Sequence, residues 1–320
     1  MEHLLNRLGY DPRSLRSSTM LAGSASGAFV ARIRLGDSEF VLKTATEREA
    51  AFYRAGNVVP VRVPHVVAAD DTCLLLEALT PVPPAKDWPA SRWHEVARQL
   101  GELHHPRVMT AIGEQPWLRR PAPPRSPDAT SRAFWTKDEL ATPVDGPRLP
   151  PCLIHGDLHA GNLLTDESGK NDGGGKSNRS DKSDGTGKSN GNDRSGNSDT
   201  SNASDPSSES NGNDESGAKA KMGGELVWAD WQEVGIGTGP EDLALLWQRA
   251  EADGADPPRA AMLATYAEAR GIPYDDVLRK AANAAEVRLL LLDWPPFLIN
   301  ADPARAAVMR KRLHLLRQRQ

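Results

Sequence analysis

The chain has 320 residues, of which 39 are Lys or Arg and 43 are Asp or Glu, for a net charge of −4. That length holds one large domain or two lobes with a real core. The interspersed charges argue against a general nucleic-acid binder, which would carry a basic excess on one face, and the longest apolar run, LLLLDW, is far too short to span a bilayer.

Residues 1 to about 79 read as a short helix followed by strands. The N-terminal MEHLLNRLGYDPRSL has no basic segment leading into an apolar run, so no signal peptide is expected. AFVARIRL and EFVLKTA run or alternate apolar, and LGDS between them is a turn signal. TEREAAFYRAG follows as a helix ending at Gly56. VPHVVAAD and TCLLLEAL read as two further strands, so a small sheet carrying one helix is the simplest assembly.

The Pro-rich TPVPPAKDWP marks a lobe boundary, dividing 1–79 from 80–320. Beyond it Trp93, Val96, Ala97, Leu100, Leu103 and His104 recur at spacings of three and four, one face of a helix. Residues 106–150 are Pro-rich and give no clear period. The last eighty residues read as three or four helices broken at DGADPP, GIPYDD and WPPFLINADP. The terminal MRKRLHLLRQRQ reads as the solvated face of a last helix. Cys73 and Cys152 lie far apart, with neither zinc-ligand spacing nor a disulfide framework, which fits a reducing cytoplasm.

From about Asp166 to Gly224 the sequence is almost pure Ser, Asn, Gly, Asp and Lys. With no aromatic residue and no Val, Ile, Leu or Met before Met222, it cannot offset an ordering cost of roughly 1–2 kcal/mol per residue, and disorder is expected. GKSN occurs twice in this tract but lacks the upstream glycine, strand and helix of a Walker A loop.

Three elements carry chemistry. CLIHGDLHAGNLL sets Asp157 five residues before Asn162, just after an apolar strand, the spacing of the protein-kinase catalytic loop. A carboxylate there accepts the proton of an attacking hydroxyl, and a nearby carboxamide oxygen holds magnesium on a triphosphate. LVWADWQEV ends a second apolar strand in Asp230, the place of the principal metal ligand in kinases. Lys43, among apolar neighbours in FVLKTA, is either an edge-strand lysine facing solvent or the lysine that grips the α and β phosphates. Its carboxylate partner would be Glu47 or Glu49; Glu49 is preferred because it sits in the helix body, Glu47 reading as a first-turn residue. Gly23 and Ser24, in LAGSASGAF, form a turn whose N–H groups could meet phosphates, although the spacing is not G-x-G-x-x-G.

HGDLHAGN, WADWQEVGIGTGPEDLALL and ELHH, in chain order ELHH first, resemble the aminoglycoside phosphotransferase and choline kinase-like family of small-molecule kinases, over about Leu21 to Trp247. The resemblance implies an α+β, two-lobed protein-kinase-like fold, with a small β-rich N-lobe and a mostly helical C-lobe interrupted at 166–224. It implies Asp157 as catalytic base, Asn162 and Asp230 as Mg2+ ligands, and Lys43 with Glu49 on the phosphates of ATP. Glu77 to Leu79 would be the hinge that meets adenine through its backbone. Asp242 and His155 would be structural, Asp242 bracing the catalytic loop. NLL and ELVWAD become two strands of one hairpin, with the polar tract at its tip. Gly156 stands where protein kinases carry Arg, and Gln232 replaces a frequent acid.

The acceptor is a small-molecule hydroxyl, with neither nucleic acid nor membrane as partner. Acids and bases are nearly balanced after Glu241, which speaks against a polycationic aminoglycoside. Trp231, Trp247, Trp294 and Phe297 either stack on a substrate or pack the helical core. The alternative from another class is a catalytically silent nucleotide-binding or interaction module of the same fold.

Overall fold

The computed structural model describes residues 1–21, 27–55, 58–121, 124, 126–166, 224–298 and 303–318, which belong to one compact unit. Gly23 and Ser24 lie outside the described residues, as does the tract expected to be disordered, apart from its borders. The architecture is α+β: a sheet-bearing N-terminal part followed by a mostly helical part.

The chain starts with α1 (Glu2–Arg7), then β1 (Leu15–Met20), β2 (Val30–Leu35) and β3 (Ser38–Thr44). Next come α2 (Glu47–Ala55), β4 (Val66–Ala69) and β5 (Cys73–Glu77). The five strands form one antiparallel sheet in the order β1-β2-β3-β5-β4. Side-chain alternation sorts its two faces. Ala31, Ile33, Leu42, Cys73 and Leu75 pack with Leu4 and Leu5 of α1. Leu74, Leu76 and Val41 pack on the other face with Ala50, Phe52 and Tyr53 of α2. Lys43 shares the face of Val41, two residues before it, and therefore points toward α2. The strand β1 has no apolar alternation to announce it: all but its first residue are exposed, and it is held at the sheet edge by its ladder with β2.

After β6 (Thr80–Pro81) the chain is helical: α3 (Ala90–Leu103), α4 (Pro106–Ile112), α5 (Ala129–Phe134) and α6 (Lys137–Leu140). The Pro-rich stretch thus holds three short helices, each too brief to show a period. Four short strands follow, β7 (Cys152–Ile154), β8 (Leu163–Thr165), β9 (Leu226–Trp228) and β10 (Gly235–Gly237). The strands β6, β8 and β9 make one antiparallel sheet, and β7 pairs with β10. The expected hairpin is present: Leu163 pairs with Trp228, Leu164 with Val227 and Thr165 with Leu226. At its far end Arg62 holds Asp166 at 2.7 Å.

The C-terminal helices are α7 (Pro240–Ala252), α8 (Arg259–Arg270), α9 (Asp276–Arg288), α10 (Pro295–Leu298) and α11 (Pro303–Arg317), with breaks in the three stretches expected from sequence. The helices α3 and α8 approach so closely that a methyl group on Gly101 would lie 2.6 Å from the Tyr266 carbonyl oxygen. The basic terminal helix departs from a purely solvated face. Arg312 is buried and pairs with Glu286 of α9, which also takes Arg259 at 3.3 Å. Desolvating one carboxylate is tolerable because two guanidinium groups surround it. Among the described residues no helix is long and apolar enough to cross a membrane.

Candidate active site

The site is assembled around the loop that leaves β7. The Asp242 carboxylate, in the first turn of α7, accepts the backbone N–H of His155 at 2.7 Å and of Gly156 at 2.8 Å. His104, at the end of α3, lies with Nε2 3.2 Å from the same carboxylate and Nδ1 3.0 Å from the Tyr266 hydroxyl. Arg270 donates to that hydroxyl oxygen at 2.7 Å, so the Tyr266 hydrogen goes to Nδ1 and His104 keeps its Nε2 hydrogen for Asp242. Burial pushes the His104 imidazole below its ordinary pKa of 6.5, although Asp242 opposes this. Burial alone would raise the Asp242 carboxyl, but the bond from His104 and the neighbouring imidazoles and N–H groups hold it below its ordinary value of 3.8.

Gly156 has φ +83°, and a Cβ there would lie 2.2 Å from the Glu233 carbonyl oxygen. Both facts require glycine, which accounts for the missing Arg. His155 ties the loop to the other strand: its Nε2 donates to the Ala229 carbonyl at 3.0 Å and its Nδ1 accepts the Asp157 N–H at 3.3 Å. With both ring nitrogens occupied, His155 has a structural place rather than an acid–base one.

Asn162 donates from Nδ2 to the Asp157 carbonyl at 2.8 Å, and its own carbonyl accepts the Ala229 N–H at 2.9 Å. The hairpin therefore sets Asn162 across from Ala229 and beside Asp230. Asp230 has φ 65° and ψ 62°, and among the described residues no other non-glycine residue has a positive φ. A left-handed aspartate is strained, and such strain concentrates at working sites.

Lys43 joins the N-terminal sheet to this hairpin. Its Nζ meets Glu49 Oε1 at 2.7 Å and also Asp230 Oδ1. Lys43 is 6% exposed and Glu49 1%. Burial works against the lysine charge, but Glu49 and Asp230 more than offset it and raise its pKa. Glu47 is exposed. Contrary to the expectation from sequence, Glu49 is not in the helix body: it too lies in the first turn of α2, with its N–H on the Thr46 hydroxyl at 3.1 Å. Its face decides the matter, because Phe52 and Tyr53, three and four residues on, are buried beside the sheet.

The structure thus brings Lys43, Glu49, Asp157, Asn162 and Asp230 together. Glu77 and Leu79 lie where β5 leaves the sheet. The Glu77 side chain accepts the His65 N–H at 2.8 Å, and the Leu79 carbonyl accepts from Arg32 at 2.6 Å. Trp231 stacks on Phe52 with ring centres 4.3 Å apart, and Trp247 is buried with it in the main core. Neither is free to stack on a substrate. Trp294 is buried in a second helical cluster, whereas Phe297 is 64% exposed.

Two residues went unnoticed in the sequence. Arg249 follows Asp242 by seven residues, hence on the same face of α7, and its guanidinium lies 5.0 Å over the Trp294 ring. Arg305 of α11 lies 5.4 Å over the same ring. The heptad spacing from Asp242 was a legible signal for Arg249. Arg305 had none, since α11 meets Trp294 only in the fold.

The residues suit a magnesium ion. No group of three His, Cys, Asp or Glu that could hold a metal occurs among the described residues. Magnesium on a triphosphate does not need one, being held by one or two side-chain oxygens plus phosphates and water. Asn162 turns its Nδ2 to the Asp157 carbonyl, and no described residue hydrogen-bonds its Oδ1. Asp230 is partly exposed, and Lys43 engages only one of its oxygens.

The fold has solved counterparts. A microcompartment-associated aminopropanol kinase superposes with TM-score 0.55 at 14% identity, over 99% of this chain and 94% of that one. The amicoumacin kinase hAmiN, in complex with AMP-PNP, Ca2+ and Ami, gives 0.54 at 11%, over 100% and 93%. The choline kinase LicA from Streptococcus pneumoniae gives 0.53 at 10%, over 100% and 98%. At these identities the likeness establishes a two-lobed, protein-kinase-like fold. None of the curated proteins compared with the sequence matches it. The sequence model of the phosphotransferase enzyme family, however, matches residues 13–174, about half of the chain, and the protein belongs to that family.

Proposed function

We propose that this phosphotransferase moves the γ-phosphoryl group of ATP to a hydroxyl of a small molecule, with magnesium required. The observation that carries the reading is the convergence of Asp157, Asn162 and Asp230 on one loop and hairpin, tied to the Lys43–Glu49 pair. The AMP-PNP named with the amicoumacin kinase supports ATP as donor.

In this reading Asp157 accepts the acceptor's hydroxyl proton as that oxygen attacks the γ-phosphorus. The new O–P bond forms, the bond to the β,γ-bridging oxygen breaks, and ADP leaves with the electron pair. Lys43, oriented by Glu49, takes the α and β phosphates. Asn162 Oδ1 and Asp230 would hold magnesium, which neutralises charge on the phosphates. Asp242 and His155 keep Asp157 in register without touching substrate. Positioning and electrostatics carry such a reaction.

The test is ADP release by the full chain with magnesium-ATP across sugars, amino alcohols, hydroxy acids, sugar phosphates and antibiotics. Turnover above Asp157→Asn, lowered about a hundredfold or more in Asp230→Ala, and a melting temperature raised by ATP are expected. Wild type that never exceeds Asp157→Asn but is stabilised by ATP would instead be a silent nucleotide-binding module.

A further inference from the structure

This inference rests on the phosphotransferase reading and concerns its acceptor. The helix α7 presents Asp242 to the Asp157 loop and, two turns on and roughly 10 Å farther along, presents Arg249 on the same face. Arg249 and Arg305 share the Trp294 indole, with guanidinium centres 5.0 and 5.4 Å from its ring. Trp294 is 4% exposed, so the platform is fixed by the helical core. Cation–π attraction to an indole can hold a guanidinium without using its N–H donors.

The Nε atoms of Arg249 and Arg305 and the Nε1 of Trp294 are buried without a hydrogen-bond partner among the described residues. No described carboxylate pairs with either arginine. Other buried or half-buried arginines of the chain behave differently: Arg312 and Arg259 share Glu286, and Arg270 caps the Thr238 and Pro150 carbonyls. A buried N–H donor left without a partner is costly unless a ligand or water completes it. Burial pushes Arg249 below its ordinary range; Asp157 opposes this and Arg305 reinforces it. The helix α7 also packs against Ala160–Asn162, in the loop that carries Asp157.

We infer that the phosphoryl acceptor is a small hydroxylated anion, whose carboxylate or phosphate group is clamped by Arg249 and Arg305 while its hydroxyl lies at Asp157. Guanidinium forks match both groups in two-point geometry. The exposed Phe297, whose ring centre lies 6.1 Å from that of Trp294, adds an apolar flank. A polycation would meet two like charges here, which explains the lack of acidic excess in the C-terminal helices.

The probes are glycerate and gluconate for the carboxylate source and glycerol 3-phosphate and glucose 6-phosphate for the phosphate source. Glycerol and ethanolamine are the neutral and cationic counterparts. Each is titrated by calorimetry into the full chain saturated with magnesium-AMP-PNP. At least one anion is expected to bind more tightly than glycerol or ethanolamine, and which arm binds identifies the group. Arg249→Gln and Arg305→Gln should each weaken that anion about tenfold or more, with AMP-PNP affinity kept. The inference is overturned if AMP-PNP binds but no anion does, if ethanolamine binds best, or if both variants bind the anion like wild type. Absence of AMP-PNP binding in wild type would remove the phosphotransferase reading, and this inference with it.

Discussion

One carboxylate on α7, Asp242, fixes two successive peptide groups of the loop that carries Asp157: it accepts the His155 and Gly156 N–H groups at 2.7 and 2.8 Å. The C-terminal helical part thereby sets the position of a loop whose side chains point elsewhere. His104 completes the carboxylate from α3, so three separated segments meet at one buried acid.

Asp242→Ala should therefore disable and destabilise together. It strands two buried N–H donors and the His104 Nε2–H, at about 1–3 kcal/mol for an unpaired buried group. A loss of at least about 3 kcal/mol is expected in urea unfolding, with turnover falling more than tenfold under folding conditions. Wild-type stability in this variant would show that water replaces the carboxylate.

The burial of His104, which outweighs the opposing effect of Asp242, gives the protein a pH dependence of known sign. Folding depresses the His104 pKa, so below pH 6.5 the unfolded chain takes up a proton that the folded chain resists. Stability must fall as pH drops from 6.5 toward the folded value, by at most about 1.4 kcal/mol per pH unit for one proton. Asp242 is also depressed, and the stability it contributes is lost in a lower window, as pH falls below 3.8. Chemical denaturation between pH 5 and 7.5 should show the first loss in wild type and a shallower one in His104→Gln. Equal slopes would place the titration elsewhere.

Gly156→Ala should be damaging although it adds one methyl group. The backbone is left-handed there, and the added carbon would lie 2.2 Å from the Glu233 carbonyl oxygen. Displacing that backbone costs about 1–3 kcal/mol and moves Asp157, the next residue. A thermal melt and a turnover assay check both effects. Unchanged turnover would mean that the loop tolerates the shift.

Replacing residues 168–222 with a short Asn-Gly-type turn should leave turnover nearly intact. Thr165 and Leu226 already pair across the hairpin, and the Arg62–Asp166 contact is retained. Going from about fifty-five connecting residues to about five removes between three and four doublings of loop length, roughly 2 kcal/mol of closure entropy. The variant should melt no lower than wild type. A large loss of activity would give the polar tract a catalytic or lid role.

Much of this was legible without coordinates. Apolar alternation marked the central strands, and the Asp157-to-Asn162 spacing marked the loop, because both are local regularities of chain geometry. β1 escaped, since an exposed edge strand is held by its neighbour's backbone and needs no apolar pattern. The place of Glu49 along the helix does not set its partner; what pairs it with Lys43 is the face it shares with Phe52 and Tyr53.

By itself, then, the sequence determined which chemistry the chain carries: an acid, a carboxamide and a second acid at strand ends, and a lysine inside a strand. Those are statements about neighbours in the chain. Only the tertiary structure decided that Asn162 and Asp230, separated by more than sixty residues, stand side by side. It alone made Asp242 a brace and set Arg249 and Arg305 on one indole. Burial, unpaired donors and net field arise from contacts between distant segments, and no local pattern encodes them.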